Sequence, residues 1–143
     1  MEFHQFLTKE LMNISFQRRT DLAISALRAL NGVGAVRGVE LAEEIETTPS
    51  YLPQVMAPLV KAGWVTSERG PGGGYRLADV GRISLFAVVE ATEGSGDGRC
   101  VLRDAPCPGE RGCPVHAVWS QARDVLVSGF QEISAFGDKG ASP

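Results

Sequence analysis

No stretch of this chain approaches the ~20 consecutive apolar residues that a bilayer-spanning helix requires. The N-terminus, MEFHQFLTKELMNISF, has no basic start leading into an unbroken apolar run. Neither a membrane anchor nor a secretory leader is expected, and the predicted compartment is the cytoplasm. Catalytic signatures are missing as well. There is no H-E-x-x-H and no G-x-S-x-G, and the glycine run GPGGG is not followed by Lys-Ser/Thr. Those absences predict a non-enzyme, with neither a zinc-hydrolase helix, a serine nucleophile elbow nor a phosphate-binding P-loop. Positive charge is not in excess: a net charge of −3 excludes a protein that coats nucleic acid through bulk charge. Cysteine is scarce, three in 143 residues, an odd number that cannot all pair within one chain. In a reducing compartment such thiols read as ligands rather than disulfides.

What is present begins with the placement of those thiols. Cys100, Cys107 and Cys113 share one fourteen-residue window and are followed by His116, in the pattern C-x6-C-x5-C-x2-H. The segment around them, GSGDGRCVLRDAPCPGERGCPVH, is too rich in Gly, Pro and Asp to build a core. Soft ligands gathered on such a loop predict a metal or an iron–sulfur cluster, which cysteine thiolates hold. Zinc accepts three Cys and one His, but the C-x2-4-C spacing usual in structural zinc sites is absent. A zinc-stabilised or metal-free thiol-switch interaction module is the alternative from another functional class. A Cys/His pair with no orienting group does not make a nucleophilic site. His116 also fits an exposed helix start, and His4 a surface position.

Apolar periodicity supplies the scaffold. Residues 20–31 put Leu22, Ala23, Ala26, Leu27 and Leu30 on one helical face, with Thr20 as N-cap, Asp21 as a first-turn anion and Asn31-Gly32 as the stop. Residues 38–46 predict a short helix with Val39, Leu41, Ala42 and Ile45 inward. A third helix over about 50–62 follows the turn TTPS and ends at Gly63. Ser50 is its expected N-cap, which leaves Pro53 harmless in the first turn, while Pro58 predicts a bend near 54–58. Two short strands around GPGGG predict a β-hairpin. Ser84 caps a further helix over 85–92. Pro114 suits the first turn of a long helix to about 132, striped with Val115, Val118, Trp119, Ala122, Val125, Leu126 and Phe130. So long an apolar stripe in so small a protein is expected to pack on a second copy rather than fold back on its own core.

Helix, turn, helix and hairpin in that order predict a mainly α fold with a small β-hairpin, a winged helix-turn-helix plus a long C-terminal dimerisation helix. In such a unit the second helix enters the major groove by its N-terminal residues, here Ser50, Tyr51 and Gln54. Gln pairs bidentately with adenine, and Ser and Tyr reach bases or phosphates. Gly72 and Gly73 let the wing backbone approach the sugar-phosphate, unless they serve only the hairpin turn. Arg69 and Arg76 flank the turn, placed for phosphates or the minor groove. Residues 47–78 carry Lys61, Arg69 and Arg76 against Glu68 alone, a locally basic face on an acidic chain.

The segment PSYLPQVMAPLVKAGWVTSERGPGGGYRL, with the three-cysteine loop beyond it, resembles the bacterial winged-helix iron–sulfur repressors that include IscR and NsrR. The resemblance covers about residues 14–130. It implies a homodimer on a palindromic double-stranded operator, regulated by an iron–sulfur cluster (4Fe-4S or 2Fe-2S) that senses nitric oxide or redox and iron–sulfur status. The family's three ligating cysteines fall on Cys100, Cys107 and Cys113. Its fourth ligand falls on His116 by the IscR-like pattern. By the NsrR-like pattern it falls on Asp21 of the partner subunit, in T-D-L-A at residues 20–23. The x6 gap, Pro53 and Pro58, and the start before Met12 depart from the family pattern. The implied domains are an extension at 1–13, a DNA-binding unit at 14–93, a cluster loop at 94–113, a dimer helix at 114–136 and a disordered tail at 137–143. Phe3, Phe6, Leu7 and Leu11 share one helical face of the extension.

Overall fold

The computed structural model describes residues 15–71, 73–94 and 98–137. The predicted extension with its apolar face, His4, Gly72 and residues 138–143 of the predicted tail lie outside the described residues. In chain order come helices α1 (Arg18–Leu30), α2 (Gly38–Glu44) and α3 (Leu52–Lys61), then strands β1 (Val65–Glu68) and β2 (Gly74–Leu77). Helices α4 (Leu85–Glu93) and α5 (His116–Glu132) complete the described fold. The strands pair antiparallel, Val65 opposite Leu77 and Glu68 opposite Gly74.

The predicted stripe of α1 is the centre of the core. Leu22, Ala23, Ala26, Leu27 and Leu30 are all buried, and Leu41, Ala42, Ile45, Leu52, Val55, Met56, Leu59, Val65, Ile83 and Val88 close around them. Each large side chain withdrawn from water stabilises the fold by about 1.5–3 kcal/mol. Gly32 and Gly63 stop α1 and α3 with φ of +79°, a conformation glycine adopts without steric cost.

Several local expectations need correction. Thr20 does not cap α1. The helix starts earlier, with Gln17 as N-cap, and the Thr20 hydroxyl is fully buried against α4. Val39 is not inward but 64% exposed. In a seven-residue helix the inward face is taken by Leu41, Ala42 and Ile45, and Val39 lies about 200° round from Leu41. Ser50 does not cap α3. Tyr51 is the N-cap, because the Thr48 carbonyl accepts both the Tyr51 and Leu52 N–H groups. Pro53 then sits at the second helical position, where no intrahelical donor is needed. Pro58 lies inside the helix without ending it, in keeping with the expected extent, and its carbonyl accepts the Ala62 N–H at 3.0 Å. Pro114 precedes α5 instead of opening it, since Val115 is the N-cap.

Ser84 caps α4 as expected, accepting the Ala87 N–H at 3.1 Å. The far end of α5 is pinned beside it. Leu85 N–H donates to the Ile133 carbonyl and Ala135 N–H to the Ile83 carbonyl, both at 2.8 Å. Between these ends, no residue of α5 is buried, and Val118 and Val125 are 73% and 72% exposed. The stripe does not fold back to complete this chain's core. Among the described residues no helix is long and apolar enough to cross a membrane.

Candidate metal centre and nucleic-acid interface

The cysteine loop is shaped by backbone hydrogen bonds that its glycines and prolines permit. Cys107 N–H donates to the Gly98 carbonyl at 2.8 Å and Cys100 N–H to the Ala105 carbonyl at 2.9 Å. These bonds fold 98–107 back on itself and bring the first two thiols together. A second turn, closed by Cys113 N–H on the Gly109 carbonyl at 3.0 Å, returns the third. Gly109 has φ of +85°, which that turn requires.

All three Sγ atoms lie within 4.8 Å of one another. Cys100 and Cys113 are buried with their sulfurs 3.7 Å apart, and none of the three is in a disulfide. Cys107 is half-buried, its Sγ 3.3 Å from His116 Nδ1. A backbone hydrogen bond from Leu102 holds the Cys100 thiol below its ordinary pKa, against burial. The corresponding bond from Val115 favours the Cys113 thiolate, but burial and the neighbouring thiols outweigh it and hold that group higher. A soft, closely gathered donor set of this kind fits a transition metal or iron–sulfur cluster.

A cavity of about 120 Å³ opens beside the thiols, lined in part by Cys107, Cys113, His116, Trp119 and Arg123. Trp119 and Arg123 join the site without belonging to any ligand motif in the sequence. Their signal was helical spacing: positions 116, 119 and 123 share one face of α5. Asp21 is not drawn to the thiols of its own chain; it stands exposed in the first turn of α1.

The predicted DNA-facing residues divide. Ser50 and Gln54 are exposed on the entry to α3, with Ser50 Oγ 3.1 Å from Thr48 Oγ1. Tyr51 is half-buried and packs on the core. Arg69 is exposed, with no ion-pair partner among the described residues, while Arg76 lies 3.9 Å from Glu68 across the hairpin. Gly73 has a steric role: a Cβ there would meet the Glu68 carbonyl oxygen at 2.3 Å. Arg37 was missed by pattern reading. It is exposed, pairs with Glu40 at 2.8 Å, and follows Val36, which is hydrogen-bonded to Tyr75 of the wing.

A family profile described as "Iron-dependent Transcriptional regulator" (Rrf2) matches residues 16–134. The chain is 38% identical over 103 residues to the HTH-type transcriptional regulator IscR of Xenorhabdus nematophila, covering 71% of this chain and 62% of the relative. To IscR of Enterobacter sp. (strain 638) it is 36% identical over 108 residues, covering 74% and 66%. The matched stretch thus spans less than two thirds of those relatives. Among solved structures, T. potens IscR superposes with a TM-score of 0.64 at 25% identity, covering 87% of this chain and 85% of that one. CymR, the global cysteine regulator of B. subtilis, shares the fold with a TM-score of 0.68 at 23% identity, covering 85% of this chain and 93% of that one. These relatives are named as regulators of transcription and not as enzymes, and the chain belongs to the Rrf2 family of winged-helix transcriptional regulators, with IscR-like members as relatives.

Proposed function

We propose that this chain is a cytoplasmic, homodimeric repressor whose affinity for a palindromic DNA operator is set by an iron–sulfur centre on Cys100, Cys107 and Cys113. The observation that carries this reading is the convergence of three thiols on a loop between a winged helix-turn-helix and an uncovered helix. When bound, such a centre supplies a site that reacts with nitric oxide or changes with redox and iron–sulfur status. The chain's own part is to hold three thiolates in place, to shield Cys100 and Cys113 from water, and to offer His116 on the accessible side. Of the two fourth-ligand candidates, His116 is favoured by its 3.3 Å approach to Cys107. Asp21 serves only if it comes from a partner subunit. The exposed valines of α5 suit that subunit's equivalent helix.

Anaerobic purification followed by visible spectroscopy, with iron, sulfide and zinc counts per chain, tests the centre. Iron and sulfide with visible absorption that changes on nitric oxide addition are expected. A colourless protein with one zinc per chain would instead support the zinc-stabilised interaction module. In the same assay His116→Ala is expected to shift the spectrum and Asp21→Ala to leave it. The reverse result moves the fourth ligand to Asp21 of the partner subunit, and two unchanged spectra remove both.

DNA contact is assigned to Ser50, Tyr51 and Gln54 on α3 and to Arg69, Gly72, Gly73 and Arg76 on the wing. Arg69 is the sharpest single test because it is exposed and, among the described residues, has no ion-pair partner. Arg69→Ala is expected to weaken operator binding and reduce the slope of log affinity against log salt by about one. An unchanged slope in a salt titration takes Arg69 out of the interface.

A further inference from the structure

The first turn of α1 is capped from far away in sequence. Gln17, its N-cap, makes no side-chain cap of its own. Instead the Glu93 carboxylate, at the last residue of α4, accepts the Gln17 N–H at 2.8 Å and the Thr20 hydroxyl at 2.6 Å. A carboxylate there also meets the positive end of the helix dipole. Thr20 Oγ1 lies 2.8 Å from Thr92 Oγ1, with both residues fully buried. Arg19 adds a hydrogen bond from its guanidinium to the Thr92 carbonyl. Four interactions from one helical turn therefore converge on two adjacent residues.

Those two residues stand where the DNA-binding unit gives way to the cysteine loop. Glu93 is followed by Gly94, which ends α4, and Gly98 in the cysteine loop accepts the Cys107 N–H. Glu93 also lines a cleft of about 300 Å³ between α4 and α5, together with Arg123. Arg123 lines the thiol cavity too. α1 packs against α4, which carries Thr92 and Glu93, and against α3; α4 also touches α3 directly, but less extensively than α1 does. The Thr92–Glu93 corner therefore touches the first turn of α1, and α1 makes the more extensive of the two contacts by which this corner's neighbours reach α3.

We propose that Glu93, with Thr20 and Thr92, forms a positioning latch that couples the state of the cysteine loop to the placement of α3. The inference rests on the proposed function, in which loading of the thiol site controls DNA binding. Thr20→Val removes the cross-helix hydroxyl at constant volume, and the Thr92 hydroxyl keeps its 2.9 Å bond to the Val88 carbonyl. Glu93→Ala removes the acceptor altogether. Glu93→Gln retains an acceptor oxygen for both donors and serves as the rescue variant.

The full chain is reconstituted anaerobically with ferrous iron and sulfide, or left empty. Both forms are titrated with a DNA duplex selected from a random-sequence pool by the loaded wild-type protein. Hydrogen exchange at the α3 amides is followed in parallel. The wild-type ratio of loaded to empty affinity is expected within the about 5- to 150-fold usual for allosteric coupling. In Thr20→Val and Glu93→Ala it should collapse to within about twofold of unity, with iron, sulfide and spectrum unchanged, and it should recover in Glu93→Gln. The loading-dependent change in α3 exchange should disappear and return with it. A merely structural role would lower the melting temperature while leaving the ratio intact, and an intact ratio in Thr20→Val overturns the latch. Thr20→Val also carries the test if Glu93→Ala fails to fold. A wild-type ratio of one overturns the proposed function and the latch together. A large wild-type ratio that Thr20→Val leaves unchanged overturns the latch alone.

Discussion

Exchanging Cys113 for alanine is expected to abolish the proposed metal centre while leaving the fold standing. The Cys113 sulfur lies 3.7 Å from that of Cys100 and within 4.8 Å of that of Cys107. Without it, two thiols and His116 remain on a loop built largely of Gly and Pro. Loss of an outer partner of a metal ligand alone costs about 10- to 100-fold in affinity, so loss of a ligand should exceed about 100-fold. Stability should move little. The hydrophobic core is formed by α1 to α4, β1 and the segment after α5, and none of the cysteines belongs to it. Measured against the empty wild-type protein, the change in unfolding free energy is expected within about 1 kcal/mol, because the buried Cys113 side chain lies against Cys100 in the loop and outside the main core cluster. Iron and sulfide counts, visible absorption and a melting curve check both halves. A coloured, iron-loaded Cys113→Ala protein would place the ligands elsewhere. A colourless but unfolded one would mean that the cysteines hold the loop together without metal.

The core and the candidate site were legible to different depths, for different physical reasons. The α1 stripe follows from helical period alone, because five apolar residues at three- and four-residue spacing have one face to bury. The hairpin and its turn follow from glycine chemistry. The gathering of thiols was legible because soft ligands on a core-free loop have few other uses. Thr20 was misread because capping rules are local. They see Thr followed by Asp, while its hydroxyl is committed to Thr92 and Glu93, 72 and 73 residues on. Ser50 differs from its expected role for a related reason: the first N–H groups go to the Thr48 backbone carbonyl, and Tyr51 becomes the N-cap without any hydroxyl capping the helix. The α5 stripe is legible as a pattern, and the second copy expected to cover it lies beyond a single chain. The chain itself covers only part of it, with Phe130 packed on Phe16 at a centroid distance of 5.4 Å.

Gly74→Ala is the substitution expected to harm the DNA-binding unit most. A Cβ on Gly74 would lie 2.2 Å from the Val36 carbonyl oxygen, 2.6 Å from its carbon and 3.0 Å from Arg37 Cα. All three are backbone atoms, so no side-chain rotation relieves the overlap. Gly74 also has φ of +151°, where a side chain is strained by about 1–3 kcal/mol. Relief requires the wing to part from the segment before α2. That breaks the Val36–Tyr75 pair of hydrogen bonds, each 2.8 Å and each worth about 0.5–1.5 kcal/mol net. A loss of about 2–4 kcal/mol of stability follows, in the range of the more damaging single substitutions. The control is Gly81→Ala, where the added Cβ meets nothing within 4 Å and φ is not positive; it should be neutral or slightly stabilising. Because Val36 leads directly into Arg37 and α2, the folded fraction of Gly74→Ala should also hold the wing out of register with the recognition helix. Operator affinity should fall by about tenfold or more, at about 1.4 kcal/mol per tenfold. Chemical denaturation and DNA titration of both variants separate the two uses of the glycine. A variant that unfolds like the wild type yet binds DNA poorly would show that glycine is needed there for close approach to the sugar-phosphate. Loss of stability in the absence of DNA places the requirement inside the fold, in the contact between the wing and the segment that leads into α2.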